Sequence, residues 1–189
     1  MIDRSLLADH PVEVAPRLLG WHLVSELQGV TTSVVITEVE AYAPDDPASH
    51  SFRGETPRNA SMFCQAGTSY VYRSYGIHWC VNVVTGPVGH GAAVLIRGGR
   101  PLIGGDVMAR RRRRSDHLTD GPGKLCQSLA IDGSHDGLDL VESGPDALGG
   151  VWLQPGPAPA EYVTTPRIGI TRAVELSWRF VALGGAPAT

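Results

Sequence analysis

Polar and apolar residues alternate most cleanly over Thr31–Tyr42. There Val35, Thr37, Val39 and Ala41 take one face of an extended segment, and Glu38, Glu40 and Tyr42 take the other. A two-residue period of this kind predicts a strand. Trp21–Leu27 reads as its hairpin partner across a turn at Gln28-Gly29. Tyr70–Arg73, His78–Thr85 and Ala92–Arg97 are rich in β-branched and aromatic residues, and Tyr75-Gly76 and the run GPVGHG punctuate them as turns. Val151–Leu153, Arg167–Ile170 and Trp178–Ala182 predict three shorter strands among proline-rich connectors.

Helical spacing is confined to three places. Leu6–Leu19 carries it but is interrupted by Pro11 and Pro16, which predicts one short helix or two. Gly104–Arg114 predicts a helix ending in the arginines of 110–114, and GPGKLCQSLAI, Gly121–Ile131, a glycine-rich loop running into a helix. Pro44–Pro57 is a long polar connection without periodicity, a kind of loop that is often functional. Hairpin-linked strands without βαβ alternation, repeats or a boundary predict an α+β fold. The expectation is a single compact domain over residues 1–189, a curved, mainly antiparallel β-sheet with flanking helices.

Bulk properties narrow the class further. A chain of 189 residues can bury a substantial core, and 42% hydrophobic with 19% charged residues argues against disorder. No apolar run reaches the ~18 residues of a bilayer span. The stretch MIDRSLLADHPVEV has no signal-peptide pattern, so a cytoplasmic location is expected. Cys64, Cys80 and Cys126 are odd in number and lack metal-ligand spacing, which predicts reduced thiols and no zinc site. A net charge of −3 and a pI near 6.1 contrast with nucleic-acid-binding domains, whose pI often exceeds ~9. Acids crowd Glu38–Asp46 and Asp132–Asp146, however, while Arg110–Arg114 is wholly basic. That run fits either a positive binding patch or a solvated helix end.

Candidate chemistry centres on Glu38 and Glu40, about 7 Å apart on one face at ~3.3 Å per residue. The pair suits a solvent-facing surface. It equally suits a general base acting on water, because Tyr42 continues the face and the loop carrying His50 follows directly. Glu40, next to Tyr42, is the better candidate. Tyr70 and Tyr72 point the same way, with core packing the first reading of Tyr70, whereas Tyr75 at a turn tip is expected to be exposed and able to wedge into stacked bases. His50 has no HxH, HExxH or CxxC companion, which speaks against a metal role. GPGK fits a phosphate contact or an ordinary helix start, and the absence of GxxxxGK[ST] rules out a nucleotide-binding P-loop. On these groups alone a base-excising enzyme, an inactive nucleic-acid-binding module and a small-nucleoside hydrolase stay open.

Seven blocks in order add a resemblance: EVEAY at Glu38–Tyr42, DPASH at Asp46–His50, TPRN at Thr56–Asn59, YVYRSYG at Tyr70–Gly76, CVNVV at Cys80–Val84, VLIR at Val94–Arg97, and GPGKLCQSLAI. From about Leu18 to Trp178 the chain resembles the alkyladenine (3-methyladenine) DNA glycosylases of vertebrates and many bacteria. The resemblance implies a monofunctional base-excision enzyme without cofactor or metal, acting as a monomer on double-stranded DNA that contains damaged purines. It implies no membrane, no obligate protein partner and a bacterial cytoplasmic location at the nucleoid. By similarity Glu40 would activate water, with Arg97 orienting beside it. Tyr42, His50 and Tyr72 would line the pocket for the flipped base, and Asn82 would reject guanine at its floor. Tyr75 would fill the gap in the duplex, and Arg58, Gly123 and Lys124 would meet the DNA backbone. Lys124 is the only lysine, which disfavours a Schiff-base lyase step.

Overall fold

The computed structural model describes residues 2–144 and 150–184, so Asp146 of the second acidic stretch lies outside it. In chain order the elements are α1 (Pro11–Leu18), β1 (His22–Leu27), β2 (Val30–Tyr42), β3 (Ser69–Ser74), β4 (His78–Thr85), β5 (Ala92–Ile103), α2 (Gly105–Arg112), α3 (Pro122–Leu129), β6 (Val151–Gln154), β7 (Glu161–Thr165) and β8 (Arg179–Leu183). The alternation that predicts β2 runs through 13 residues, long enough to pair with three strands. Along one side lies β5; along the other, β1 pairs with Val30–Val35 and β8 pairs with Glu38–Glu40. The strand order is β3-β4-β5-β2-β1-β6, with β7 outside β8, and every pairing is antiparallel. The α+β class and the curled antiparallel sheet follow the sequence reading.

Alternation sends one face of the sheet into the main core. Val39, Val71, Val81, Val83, Val94 and Ile96 pack there with Leu18 of α1 and with Leu125 and Leu129 of α3. On the opposite face Met62, Tyr70, Val84 and Ala93 form a smaller cluster. The β2–β5 register slips on either side of Glu38, opposite Gly98-Gly99. Such bulges re-aim side chains. Only glycine suits the bend, since a Cβ at Gly99 would stand 2.7 Å from the Val35 carbonyl oxygen.

Several expectations change in detail. Pro11 opens α1 and Pro16 sits within it instead of interrupting it; burial of Val14, Ala15 and Leu18 offsets the missing amide bond. Arg167–Ile170 is not a strand. The Arg167 side chain turns inward to a buried ion pair with Asp46, Gly169 has φ +79°, and the sheet gains β7 at Glu161–Thr165 instead. The arginine run is largely tied down. Arg111 donates to Thr32 and to the Ser128 carbonyl and Arg112 to Gln127, which fixes α2 to β2 and α3, while Arg110 pairs with Asp106 within α2.

Candidate active site

Strand register builds the site. Tyr70 stands opposite Asn82, Asn82 opposite Leu95, and Leu95 opposite Glu40, so four strands contribute one row to one face. Two residues along from these, Tyr72, Cys80, Arg97 and Tyr42 share that face. All eight line a cavity of about 680 Å³, a size typical of small-ligand sites. Loop residues Pro47–His50, Arg58 and the segment Ile168–Arg172 wall its outer side.

Glu40 is 0% exposed yet borders this cavity, which overturns the solvent-facing reading for it. A buried carboxylate is tolerable only with partners. Its Oε2 accepts from the Tyr42 hydroxyl at 2.8 Å, its Oε1 accepts from the Ile168 amide at 2.8 Å, and Arg97 Nη1 lies 3.5 Å from Oε1. Every partner is a donor, the set that suits an ionised carboxylate, and a carboxylate offers about four acceptor positions. Capacity for a water therefore remains. Glu38 is spent differently. Its Oε1 accepts from Arg97 Nε at 2.9 Å and from Arg179 Nε at 2.6 Å, so it aims Arg97, and it is not among the residues that line the cavity.

Aromatic rings form the rest of the wall. Tyr70 and Tyr72 stack at 5.4 Å between centroids, and His50 meets Tyr72 edge-on at 4.5 Å. His50 Nδ1 lies 2.8 Å from the Tyr70 hydroxyl, so Tyr70 belongs to the site and not to the core alone. Burial pushes the His50 imidazole below its ordinary range, and the Arg58 charge adds to this. The ring is therefore neutral at pH 7. Burial pushes the Tyr42 and Tyr72 phenols up, with the Glu40 charge reinforcing Tyr42, so both stay protonated donors. Asn82 Nδ2 donates to the Tyr70 carbonyl at 2.8 Å, which fixes its amide beside the cavity. In TPRN, Asn59 Nδ2 donates to the His50 carbonyl at 2.9 Å and to the Gly54 carbonyl at 3.1 Å, bracing the loop that carries His50.

At the rim, Tyr75 is 87% exposed and has φ +49°, followed by Gly76 at +69°. The Ile77 amide donates to the Ser74 carbonyl at 3.0 Å, closing a tight turn with two positive φ values. A non-glycine residue held there costs about 1–3 kcal/mol. Arg58 reaches the rim, but Gly123 and Lys124 are not among the cavity residues. Gly123 backs onto His78, where a Cβ would stand 2.8 Å from the histidine Cβ, and Lys124 Nζ is 3.0 Å from Asp120.

Tyr70, Cys80, Leu95 and Ile168–Arg172 are site residues the sequence reading missed. Alternation with Tyr72, Asn82 and Arg97 signals the first three. Ile168 gives no signal, since its contribution is a backbone amide. Among the described residues no group of three or more His, Cys, Asp or Glu side chains is placed to hold a metal ion, and no helix is long and apolar enough to cross a membrane.

A model of the methylpurine-DNA glycosylase family matches residues 5–186. A protein of Rhodopseudomonas palustris (strain BisB18) named "Putative 3-methyladenine DNA glycosylase" is 50% identical over 181 residues, 95% of this chain and 86% of its own. Proteins of the same name from Rubrobacter xylanophilus and Nitrosospira multiformis are 48% and 47% identical. They cover 88% and 93% of this chain, and 86% of their own length in each case.

Proposed function

The chain belongs to the methylpurine-DNA glycosylase family, and on that premise we propose a base-flipping hydrolysis driven by Glu40. It is a hydrolase of N-glycosyl bonds, a 3-methyladenine DNA glycosylase that acts on damaged DNA. A base inside a duplex is out of reach, so the alkylated purine swings into the cavity at a cost of a few kcal/mol. Tyr75, exposed on its strained turn, takes the space left in the stack. The flipped base lies among Tyr42, His50 and Tyr72, whose tyrosine faces attract a cationic ring by ~0.5–2 kcal/mol each. Asn82 limits what fits beneath it. Arg58 meets the DNA backbone. Gly123 and Lys124 also meet it from outside the cavity.

A water held by the Glu40 carboxylate attacks the sugar C1′ and passes a proton to Glu40. The C1′–N bond breaks, and its electron pair neutralises the departing alkylated base. Arg97, held by Glu38, keeps its guanidinium beside Glu40. The only lysine is paired with Asp120 away from the cavity, which favours water over an amine nucleophile and leaves an abasic site without a strand break. The domain of residues 1–189 works as a monomer without a protein partner, in the cytoplasm at the nucleoid. The carrying observation is a wholly buried carboxylate, ringed by donors, opening on an aromatic-lined cavity. The test is release of free base from methylated duplex DNA in EDTA, with abasic sites and breaks counted in parallel. Free base with abasic sites and no breaks is expected; strand breaks would refute the monofunctional reading, and no release would refute the glycosylase mechanism.

A further inference from the structure

Arg167 and Asp46 form an ion pair with both side chains 0% exposed, separated by 121 residues of chain. Arg167 Nη1 and Nη2 donate to the two Asp46 oxygens, the second at 3.0 Å, and Nη1 also donates to the Ala41 carbonyl at 2.9 Å. The guanidinium lies 4.7 Å from the Tyr42 ring centroid and 5.3 Å from that of Trp178. Arg167 Nε is buried and has no hydrogen-bond partner among the described residues. Burying two charges is costly, and well-packed apolar residues often replace such a pair with no loss of stability. An unpaired buried donor adds to that cost. Stability alone is therefore a poor account of this pair.

Its position suggests another. Glu40 is held by the Tyr42 hydroxyl on one oxygen and by the Ile168 amide on the other. Arg167 covers one side of the Tyr42 ring and is the chain neighbour of Ile168. Asp46 Oδ1 also accepts from the Ala48 amide at 2.9 Å, two residues before His50. One ion pair thus joins the end of β2, the loop carrying His50 and the wall that supplies the Ile168 amide. We infer that the Asp46–Arg167 pair is a latch that positions Tyr42 and the Ile168 amide on Glu40, so that it sets the rate of base excision. Arg167 is a positioning residue. The planar fork fits the task better than lysine would, because it meets both Asp46 oxygens while lying against two rings.

The inference rests on the glycosylase reading, so the experiment carries one readout independent of activity. Arg167→Lys and the apolar pair Asp46→Leu/Arg167→Met are compared with the parent in three measurements. These are single-turnover excision from alkylated duplex, affinity for a duplex carrying an abasic site, and hydrogen exchange of the Ile168 amide. A latch predicts that the apolar pair melts near the parent temperature, exchanges Ile168 at least ~10-fold faster and excises at least ~10-fold more slowly. Affinity for abasic duplex should stay within about 2-fold. Arg167→Lys should fall between, which keeps the test decisive if the apolar pair does not fold. Parent-like excision and Ile168 protection in a folded variant would overturn the latch. A parent protein that releases no base would instead defeat the glycosylase mechanism, while exchange at Ile168 still decides whether the latch exists.

Discussion

Replacing Glu40 with Gln tests the base directly, because the local structure can absorb the change. Gln keeps one acceptor and gains one NH₂ group. With its oxygen towards the Ile168 amide, 2.8 Å from Oε1, that bond survives. The NH₂ then faces the Tyr42 hydroxyl, 2.8 Å from Oε2, which can rotate to accept in place of donating. Arg97 loses one neighbouring charge but keeps Glu38 at 2.9 Å. The loss in stability should be about 1 kcal/mol, or roughly 2–4 °C in melting temperature for a domain of this size. Catalysis should suffer far more. General-base assistance is worth about 10²–10⁴-fold, equivalent to ~2.7–5.5 kcal/mol in the barrier. Single-turnover excision from methylated duplex should therefore fall at least ~10²-fold while duplex affinity holds. Glu38→Gln should not mimic this loss, since that side chain does not line the cavity and a Gln oxygen can still accept from Arg97 and Arg179. Excision by Glu40→Gln within ~10-fold of the parent would refute the base assignment.

Tyr75→Gly should melt at or slightly above the parent, because glycine accepts φ +49° without strain. Yet it should lose ~5- to 150-fold in duplex excision if it forfeits ~1–3 kcal/mol of base stacking; parent-like excision would remove the wedge role. The His50 imidazole titrates below its ordinary value of 6.5 when folded. The unfolded chain therefore binds more protons in the window between the two values, and stability falls as pH drops through it. The drop in melting temperature from pH 7 to pH 5 should be smaller for His50→Gln than for the parent. Gly99→Ala, with its Cβ 2.7 Å from the Val35 carbonyl oxygen, should cost about 1–3 kcal/mol and several degrees in melting temperature. A melt unchanged within a degree would show that the bulge yields freely.

The strands and turn that frame the cavity are legible in the sequence because their signals are local. The period of two over β2 placed Glu40 and Tyr42 on one face, and Tyr75-Gly76 marked the turn that leaves the tyrosine exposed. Tyr70 was harder, since burial at 2% and a role beside His50 leave the same trace in sequence. The local pattern around Arg167 predicts a strand, because its partner lies 121 residues away and no local pattern reports so distant an ion pair.

Alternation and turn residues by themselves determined β1 to β6 and β8, the hairpins among β1 to β5 and the α+β class, all of which depend on neighbours a few residues apart. Tertiary structure alone decided that Tyr70, Asn82, Leu95 and Glu40 form one row, because register depends on how strands meet. It also decided which glutamate borders the cavity. Glu38 and Glu40 are alike in sequence, but the bulge gives one to two arginines and buries the other among donors at the edge of the cavity. The reason is physical: a carboxylate's role is set by what surrounds its oxygens, and here those groups come from β2, β5, β8 and the segment after β7.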